Sequence, residues 1–461
     1  MAKKAKKESR DIVELVAEAP AAALDKSVRA GVEVAEKLPA GQTIKRTKAY
    51  WHILGPGLTT GAADDDPSGI ATYSQTGAKY GFQLLWTAAL TFPLMAVVQE
   101  MCARIGLVTG RGLAGNIRSH FSQRLLYLCT VLLVAANTFN IGADLGAMAK
   151  GAQLLTPHVS FSLLVIGFAL LSMLMQIYTP YDRYAKYLKW LALILLAYVA
   201  SALMAHLNWH EVAKHSIAPS ISWNKDQILL LCAILGTTIS PYLFFWQTSQ
   251  EVERAISRGQ DTIASRQGTN KHAIRAMRID VWSGMLLSNL VMFFIIAASG
   301  AILFSHGHGQ INSAADAAEA LRPFAGNLTY LLFTLGIVGT GLLAIPVLAG
   351  ANSYALSESR RWRGGLNDQL GQAKPFYGVI MFSILLGLAL NFVGLDPIKA
   401  LIYSAVANGI VAPLILGLIV LISSSQKTMG EWVNKPFTTF MGWLITGVMT
   451  IAGAAAIVSF F

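Results

Sequence analysis

The chain has 461 residues, of which 54% are hydrophobic and only 13% are charged. Soluble domains carry roughly 25% charged residues, so this composition excludes an ordinary soluble protein and favours a chain that crosses a lipid bilayer many times. The formal net charge is +11. Because the basic residues lie mainly in short loops between apolar runs, as in the cytoplasmic loops of membrane proteins, this charge does not indicate a nucleic-acid partner.

Residues 1–49 differ in composition from the rest of the chain. They open with Met-Ala-Lys-Lys-Ala-Lys-Lys and contain no long apolar stretch. A secretory signal peptide needs such a stretch after its basic residues. We therefore predict that residues 1–49 form a basic cytoplasmic tail and that residues 50–461 form a transmembrane domain.

Eleven apolar runs of this domain are long enough for membrane helices, which need about 20 residues each. Lys and Arg accumulate in the loops after the second, fourth, sixth and eighth runs. In a cell (inner) membrane this alternation predicts a cytoplasmic N-terminus and, because the number of spans is odd, a C-terminus outside. The predicted spans cover residues 51–79, 83–106, 125–154, 158–178, 186–206, 227–256, 278–304, 325–352, 376–394, 397–422 and 437–460.

Two of these spans contain a proline break. The first span reads Asp66-Pro67-Ser68-Gly69, and the sixth reads Gly236-Thr237-Thr238-Ile239-Ser240-Pro241. Proline removes a helix hydrogen bond, and broken backbone at membrane depth survives only where it is buried or lines a cavity. Because the breaks are five spans apart, at matching positions of two halves, they predict an all-α inverted repeat with a binding site between the breaks. The alternative is a pair of ordinary proline kinks.

Three consecutive aspartates, Asp64, Asp65 and Asp66, occupy the first break. An acid at the centre of a membrane span costs at least about 2.5 kcal/mol on insertion scales, so it needs a partner. A bound cation is the simplest one, because no Lys or Arg lies in the central part of any predicted span. Asp66, next to Pro67, is the best candidate for a metal ligand. We expect Asp64 and Asp65 to lie at the mouth of the site, in contact with water.

The second break supplies neutral oxygen atoms. Thr237 and Ser240 offer hydroxyl groups and freed carbonyls, whereas the hydroxyl of Thr238 is expected to bond back to its own helix. Together with Asp66 these residues form an all-oxygen set, and oxygen ligands favour magnesium, calcium or manganese over softer metals.

Polar residues on other spans have two interpretations. Asn137, Asn140 and Asp144 recur near helical spacing on the third span, and Asn408 lies in the tenth. They could line a vestibule of the metal site, or they could form hydrogen bonds between helices. The sequence does not decide between these interpretations. It contains no phosphate-binding loop, HExxH or nucleophile motif, so we expect neither an enzyme nor a cofactor.

These motifs resemble the NRAMP family of divalent metal transporters. The resemblance covers roughly residues 50–460 and implies a LeuT-like fold of ten core helices plus one, with a metal ion as the transported substrate. The motifs that carry it are Gly55-Pro56-Gly57, Asp66-Pro67-Ser68-Gly69, Arg104 to Ala114, Gly236 to Pro241 and Arg278-Ile279-Asp280.

The departures from the usual family pattern concern the ligands. The resemblance implies an asparagine where Gly69 stands, a methionine where Ser240 stands and a histidine where Tyr242 stands. The helix-three acids that the family uses for proton movement appear as Asn140 and Ala143. The sequence is therefore similar to the NRAMP-related magnesium transporters, a divergent branch described as carrying magnesium and manganese without proton coupling.

We therefore predict a transporter for partly hydrated Mg²⁺, and also Mn²⁺, that works by alternating access without proton coupling. Asp66 would be the main ligand, Thr237 would contribute an oxygen, and Ser240 and Gly69 would widen the cavity. Asp65, Asn140, Asp144, Tyr242 and Asn408 would lie around it. The alternatives are a proton-coupled Mn²⁺/Fe²⁺ importer that uses Asp66 and Asp144, an organic-solute symporter of the same fold, and a sensor that transports nothing. The sequence does not specify the oligomeric state and is compatible with a monomer.

Overall fold

The computed structural model describes residues 55–178 and 195–459, apart from 206, 223 and 308. The predicted N-terminal tail, 1–49, and most of the predicted fifth span lie outside these residues. Within the described part, every regular element is a helix. Spans one and six are each divided into two half-helices at the predicted breaks.

The described helices follow the predicted spans in order. Most ends differ from the prediction by no more than four residues, because the limits of the apolar runs coincide with the helix ends. The helices are Pro56–Asp64 with Pro67–Tyr80 (span one), Trp86–Thr109 (two), Gln123–Gln153 (three), Phe161–Tyr178 (four), Leu196–Met204 (described part of five), Lys225–Thr238 with Pro241–Ile256 (six), Lys271–Ser299 (seven), Thr329–Arg360 (eight), Lys374–Leu390 (nine), Pro397–Ser423 (ten) and Pro436–Ser459 (eleven).

Two spans are longer than predicted. Span seven begins seven residues early, at Lys271, where the side chain of Asn270 accepts a hydrogen bond from Ala273 N and caps the helix. Span eight continues to Arg360, eight residues beyond its predicted end. In both cases the helix continues through polar residues, which hydropathy alone cannot distinguish from a loop.

The lengths and compositions of the described helices fit a multi-pass membrane protein. Eight of them are long and apolar enough to cross a bilayer. Lys374–Leu390 is apolar but has only 17 residues. Span one is interrupted by its break, and span five is described only in part, so the prediction of eleven spans is compatible with the helices observed.

Glycines bring the first half of span one into backbone contact with span seven. A Cβ atom on Gly61 would lie 2.3 Å from the carbonyl oxygen of Gly284, and one on Gly284 would lie 2.2 Å from that of Gly57. The carboxylate of Asp280 on span seven accepts hydrogen bonds from Gly57 N at 2.9 Å and Leu58 N at 3.1 Å. These two N–H groups lie in the first turn of the helix and have no partner within it, so Asp280 fixes the start of span one.

Glycines also hold span six against span ten. A Cβ atom on Gly236 would lie 2.0 Å from the carbonyl oxygen of Ala405 and 2.5 Å from Gly409 N. Gly236 is one residue before Thr237, so this contact lies beside the second break. Both broken spans are therefore positioned by backbone contacts that leave no room for a side chain.

Candidate functional site

The first break is built around Asp66. The helix Pro56–Asp64 ends before it and Pro67–Tyr80 begins after it, with Asp66 as N-cap in extended conformation (φ −69°, ψ 171°). Its Oδ1 atom accepts hydrogen bonds from Gly69 N at 2.8 Å and from Ser68 Oγ at 2.6 Å. An aspartate N-cap followed by proline is a strong helix start, because proline lacks the N–H that would be unpaired there.

Asn140 on span three completes the surroundings of this carboxylate. Its Nδ2 donates to Asp66 Oδ2 at 2.8 Å, and its Oδ1 accepts from Ser404 Oγ on span ten at 2.6 Å. Asn140 therefore contacts the site and also joins three spans. Asn137 donates to Asn352 Oδ1 on span eight at 2.8 Å, which is a hydrogen bond between helices.

Two hydroxyl groups at the second break, those of Ser240 and Thr238, bond to the half-helix Lys225–Thr238. Ser240 Oγ lies 2.6 Å from the carbonyl oxygen of Gly236 and 2.8 Å from that of Thr237, so it bonds to the end of the preceding half-helix, and no hydrogen bond joins it to Asp66 in the described part of the chain. Thr238 Oγ1 donates to Ile234 O at 2.8 Å, which confirms its expected back-bonding.

The two breaks meet at Thr237 and Gly69. Thr237 Oγ1 lies 3.5 Å from Ser68 Oγ, and a Cβ atom on Gly69 would lie 3.2 Å from Thr237 Oγ1. Tyr242, the second residue of the helix after the sixth-span break, donates from its hydroxyl to Ala63 O at 3.1 Å. The structure therefore brings Asp66, Gly69, Asn140, Thr237 and Tyr242 into one region.

Two carbonyl oxygens of this region lie within reach of hydroxyl groups. The carbonyl of Ala63 accepts the hydroxyl hydrogen of Tyr242, and the carbonyl of Thr237 shares the single hydroxyl hydrogen of Ser240 with the carbonyl of Gly236. Among the described residues no three or more His, Cys, Asp or Glu side chains are grouped so that they could hold a metal ion. An ion bound beside Asp66 would therefore meet one carboxylate and the neutral hydroxyl oxygens of Ser68 and Thr237.

Asp64 and Asp65 do not lie at a hydrated mouth, and that prediction is wrong. Their exposed fractions are 0% and 3%. Ser288 Oγ on span seven lies 2.5 Å from Asp64 Oδ2 and 3.2 Å from Asp65 Oδ1. The reason is the glycine contact between spans one and seven, which brings Ser288 over the break and excludes water from it.

Asp144 and Asn408 are buried close to this region but do not contact it through hydrogen bonds. Both are 0% exposed, and none of their side-chain oxygen or nitrogen atoms has a hydrogen-bond partner in the described part of the chain. Asp144 lies one helical turn after Asn140. Asn408 precedes Gly409, which packs against Gly236 next to the second break.

Three serines and a polar chain in this region were not predicted from the sequence. Ser68, Ser288 and Ser404 all bond to residues of the first break or to Asn140. The polar chain runs between the first half of span one and the second half of span six. Thr60 Oγ1 donates to Gln247 Oε1 at 2.6 Å, and Gln247 Nε2 donates to Glu251 Oε1 at 3.1 Å. Only Ser68 has a local signal, because it follows an N-cap aspartate and proline; the others become visible only when the helices are packed.

Comparison with known proteins identifies one matching family and relatives that share one name. The family model described as Nramp, natural resistance-associated macrophage protein-like, matches residues 57–459. The divalent metal cation transporter MntH of Clostridium acetobutylicum is 25% identical over 424 residues, 89% of this chain and 92% of that protein. MntH of Klebsiella pneumoniae is 24% identical over 403 residues, 86% and 91% of the two chains.

Solved structures match the fold. The Eremococcus coleocola manganese transporter, in complex with an aromatic bis-isothiourea compound, superposes with a TM-score of 0.68 at 20% identity, covering 88% of this chain and 86% of its own. MhsT in complex with L-phenylalanine superposes with a TM-score of 0.54 at 13% identity, covering 88% and 98%. At these identities the likeness establishes the fold alone, which is LeuT-like with spans one and six broken.

Proposed function

The chain belongs to the Nramp family, and on that premise we propose that it is a secondary transporter of divalent metal cations. Its substrate is Mg²⁺, and also Mn²⁺, carried as a partly hydrated ion by alternating access and without coupling to protons. The protein lies in the cell (inner) membrane with its N-terminus in the cytoplasm. A negative interior then favours inward movement by about 2.3 kcal/mol per elementary charge per 100 mV.

The observation that carries this proposal is the shortage of direct ligands around Asp66. Two carbonyls beside the breaks, those of Ala63 and Thr237, already lie within hydrogen-bond distance of hydroxyl groups, and Ser240 and Gly69 supply no side-chain ligand. Magnesium keeps several of its waters in proteins and usually takes only one or two carboxylates. A site with one carboxylate and neutral oxygens suits an ion that keeps its water better than it suits an ion that must lose its water before binding.

The packing around Asp66 supports alternating access. Asp66 and Thr237 are each 1% exposed, and both Asp66 oxygens accept hydrogen bonds from the protein. A hydrated ion needs more room than this arrangement leaves. Spans one and six must therefore separate from spans three and ten before the ion enters, which is the movement that the broken-helix architecture permits.

The relatives support the class of substrate. The curated relatives are named divalent metal cation transporters, and the structural neighbour is named a manganese transporter. Manganese and magnesium both accept oxygen ligands. The absence of a thioether or thiolate from either break favours the harder of the two ions.

The decisive experiment is uptake into liposomes that contain the purified chain, with a pH-sensitive dye inside. We expect Mg²⁺ to compete with Mn²⁺ uptake, and we expect the internal pH to stay constant while Mn²⁺ enters. Protein-free liposomes are the control for leakage. Acidification that follows Mn²⁺ entry would exclude uncoupled transport, and Mn²⁺ uptake unaffected by excess Mg²⁺ would exclude magnesium as a substrate.

Asp144 favours a second candidate, a proton-coupled Mn²⁺/Fe²⁺ importer. Its carboxyl group is buried without any hydrogen-bond partner in the described structure. An isolated carboxylate in such surroundings is costly, so the group needs a cation or a proton nearby. In the same liposome assay this candidate predicts internal acidification that Asp144→Asn abolishes.

A single substitution should move the ion preference. Ser240→Met places a polarizable thioether at the second break and removes the hydroxyl that lies 2.8 Å from Thr237 O. Because thioethers favour softer metals, we expect the ratio of Mn²⁺ to Mg²⁺ uptake to rise about tenfold. Ser240→Leu is the matched control, since it changes the volume without adding sulfur. Equal ratios in both variants would contradict a role for ligand softness at this position.

A further inference from the structure

We propose that Glu253 is a gating residue, which closes the transport path at the end of the protein where spans two, six and eight finish. This end is cytoplasmic in the proposed topology. Glu253 lies in the last turn of the half-helix Pro241–Ile256, and its hydrogen-bond partners lie on span eight and in the loop that follows span eight. The inference rests on the proposed alternating access.

Span eight connects the region of the breaks with this end of the protein. A Cβ atom on Gly341 would lie 3.4 Å from Cγ of Pro67, so the middle of span eight runs beside the first break. Tyr354 lies roughly 20 Å farther along the same helix, at 1.5 Å per residue. Because spans one and six are the ones that move in the proposed cycle, an ion that leaves Asp66 toward this end passes between span eight and the second half of span six.

Two side chains of span six close this passage, and we call them the inner gate: Trp246 and Glu253. Trp246 is 0% exposed, and a Cβ atom on Gly350 of span eight would lie 2.7 Å from its Cζ3 atom. The ring centroids of Trp246 and Tyr354 are 6.2 Å apart, in an edge-on arrangement. Glu253 follows Trp246 by about two helical turns, so both side chains face span eight.

The Glu253 carboxylate is held from the opposite side of the passage. Its Oε1 accepts hydrogen bonds from the Tyr354 hydroxyl at 2.9 Å and from Leu366 N at 3.1 Å. Its Oε2 accepts from Asn367 N at 3.2 Å and from Asn367 Nδ2. A Cβ atom on Gly365 would lie 2.2 Å from Oε1, so the loop comes this close because it has a glycine there.

These hydrogen bonds exist only while the gate is closed. Glu253 is 7% exposed, and in the described part of the chain no Lys, Arg or His forms an ion pair with it. A buried carboxylate needs hydrogen-bond donors, and bonds to a charged group are stronger than neutral ones. When the second half of span six moves away from span eight, the carboxylate exchanges all four donors for water. The closed state is therefore favoured by bonds that the open state lacks.

Glu251 is a buried acid on the same half-helix that faces another way. Two residues along a helix point about 200° apart. A Cβ atom on Gly106 of span two would lie 3.2 Å from the Cβ atom of Glu251. Its Oε1 accepts from Gln247 Nε2 of the same half-helix at 3.1 Å. Movement away from span eight leaves this bond intact, so Glu251 is the matched control for Glu253.

The test is the distance between the ends of spans six and eight, measured by double electron–electron resonance on the full-length chain in lipid without metal. Spin labels are attached at Ser257→Cys and Arg360→Cys, two exposed positions, whereas the three natural cysteines are buried. We expect one main distance when Glu253 is present. Glu253→Ala should increase the ratio of a longer distance to this one about tenfold, because the closed state loses its charge-assisted hydrogen bonds.

Tyr354→Phe keeps the test valid where Glu253→Ala does not fold. It removes one donor and leaves the ring between Trp246 and Phe376, so we expect the same change at about threefold. Glu251→Gln should leave the distances unchanged. Unchanged distances in Glu253→Ala, or in Tyr354→Phe where the first variant does not fold, would overturn the gate, as would an equal change in Glu251→Gln. Because no metal is present, this result is separate from the ion and the coupling that uptake tests.

Discussion

Asp66→Asn should lower Mg²⁺ uptake by at least about 100-fold at limiting ion concentration while leaving the protein folded. The change removes the charge of the carboxylate at which spans one, three and six meet, and losing a residue that only orients a metal ligand already costs about 10- to 100-fold in affinity or activity. Asparagine is as good an N-cap as aspartate, so the helix that begins at Pro67 keeps its cap. Initial rates of uptake into liposomes measure the effect.

Thr238→Val is the matched control for this variant. Thr238 lies at the other break and is equally buried, but its hydroxyl bonds back to its own helix. We expect its uptake to stay within about twofold of the natural chain, because back-bonding of this kind contributes little to helix stability. Natural rates of uptake in Asp66→Asn would remove Asp66 from the transport site.

Gly284→Ala should destabilise the transporter by about 3 kcal/mol, and it should reduce the yield of folded protein. Its Cβ atom would lie 2.2 Å from the carbonyl oxygen of Gly57, a backbone atom that cannot rotate away. Overpacking typically costs about 1–3 kcal/mol, and a clash with backbone on both helices lies at or above the top of that range. Thermal unfolding of the detergent-solubilised protein measures the loss.

Gly447→Ala provides the comparison at a glycine that is not in contact. No atom lies within 4 Å of a Cβ atom built there, and the residue is inside the helix Pro436–Ser459. Alanine favours a helix over glycine by up to about 1 kcal/mol, so this variant should be unchanged or slightly more stable. Equal stability of both alanine variants would show that spans one and seven do not pack as described.

The sequence predicted the helices well because local composition largely determines them. Apolar length marks a membrane span, and proline next to acidic or small polar residues marked the two breaks. Proline alone is not the signal, because Pro93, Pro346 and Pro413 lie inside continuous helices. The ends of spans seven and eight were missed because polar residues continue the helices outside the apolar segment. The short helices Leu113–His120 and Trp209–Ile217 were missed for the same reason, since neither is an apolar run.

The site was harder to predict because it depends on which faces meet. Asp66 and Thr237 were identified from the breaks, and the structure brings them together. The wet mouth assigned to Asp64 and Asp65 was wrong because a glycine contact with a distant span excludes water there, and Ser288 gives no local signal of its position. The direction of the Ser240 hydroxyl was also beyond the sequence, since its choice between helix and cavity depends on the geometry of the break.

The hydrogen bond from Tyr242 to Ala63 has a mechanical consequence. It joins the last turn of Pro56–Asp64 to the first turn of Pro241–Ile256, and Thr60 and Gln247 join the same two half-helices again farther along. Two separate hydrogen bonds between these half-helices resist both sliding and rotation of one against the other. We therefore expect the two half-helices to move as one rigid unit that pivots at the two breaks. A released ion would leave along the surface of this unit and would not pass between its two half-helices.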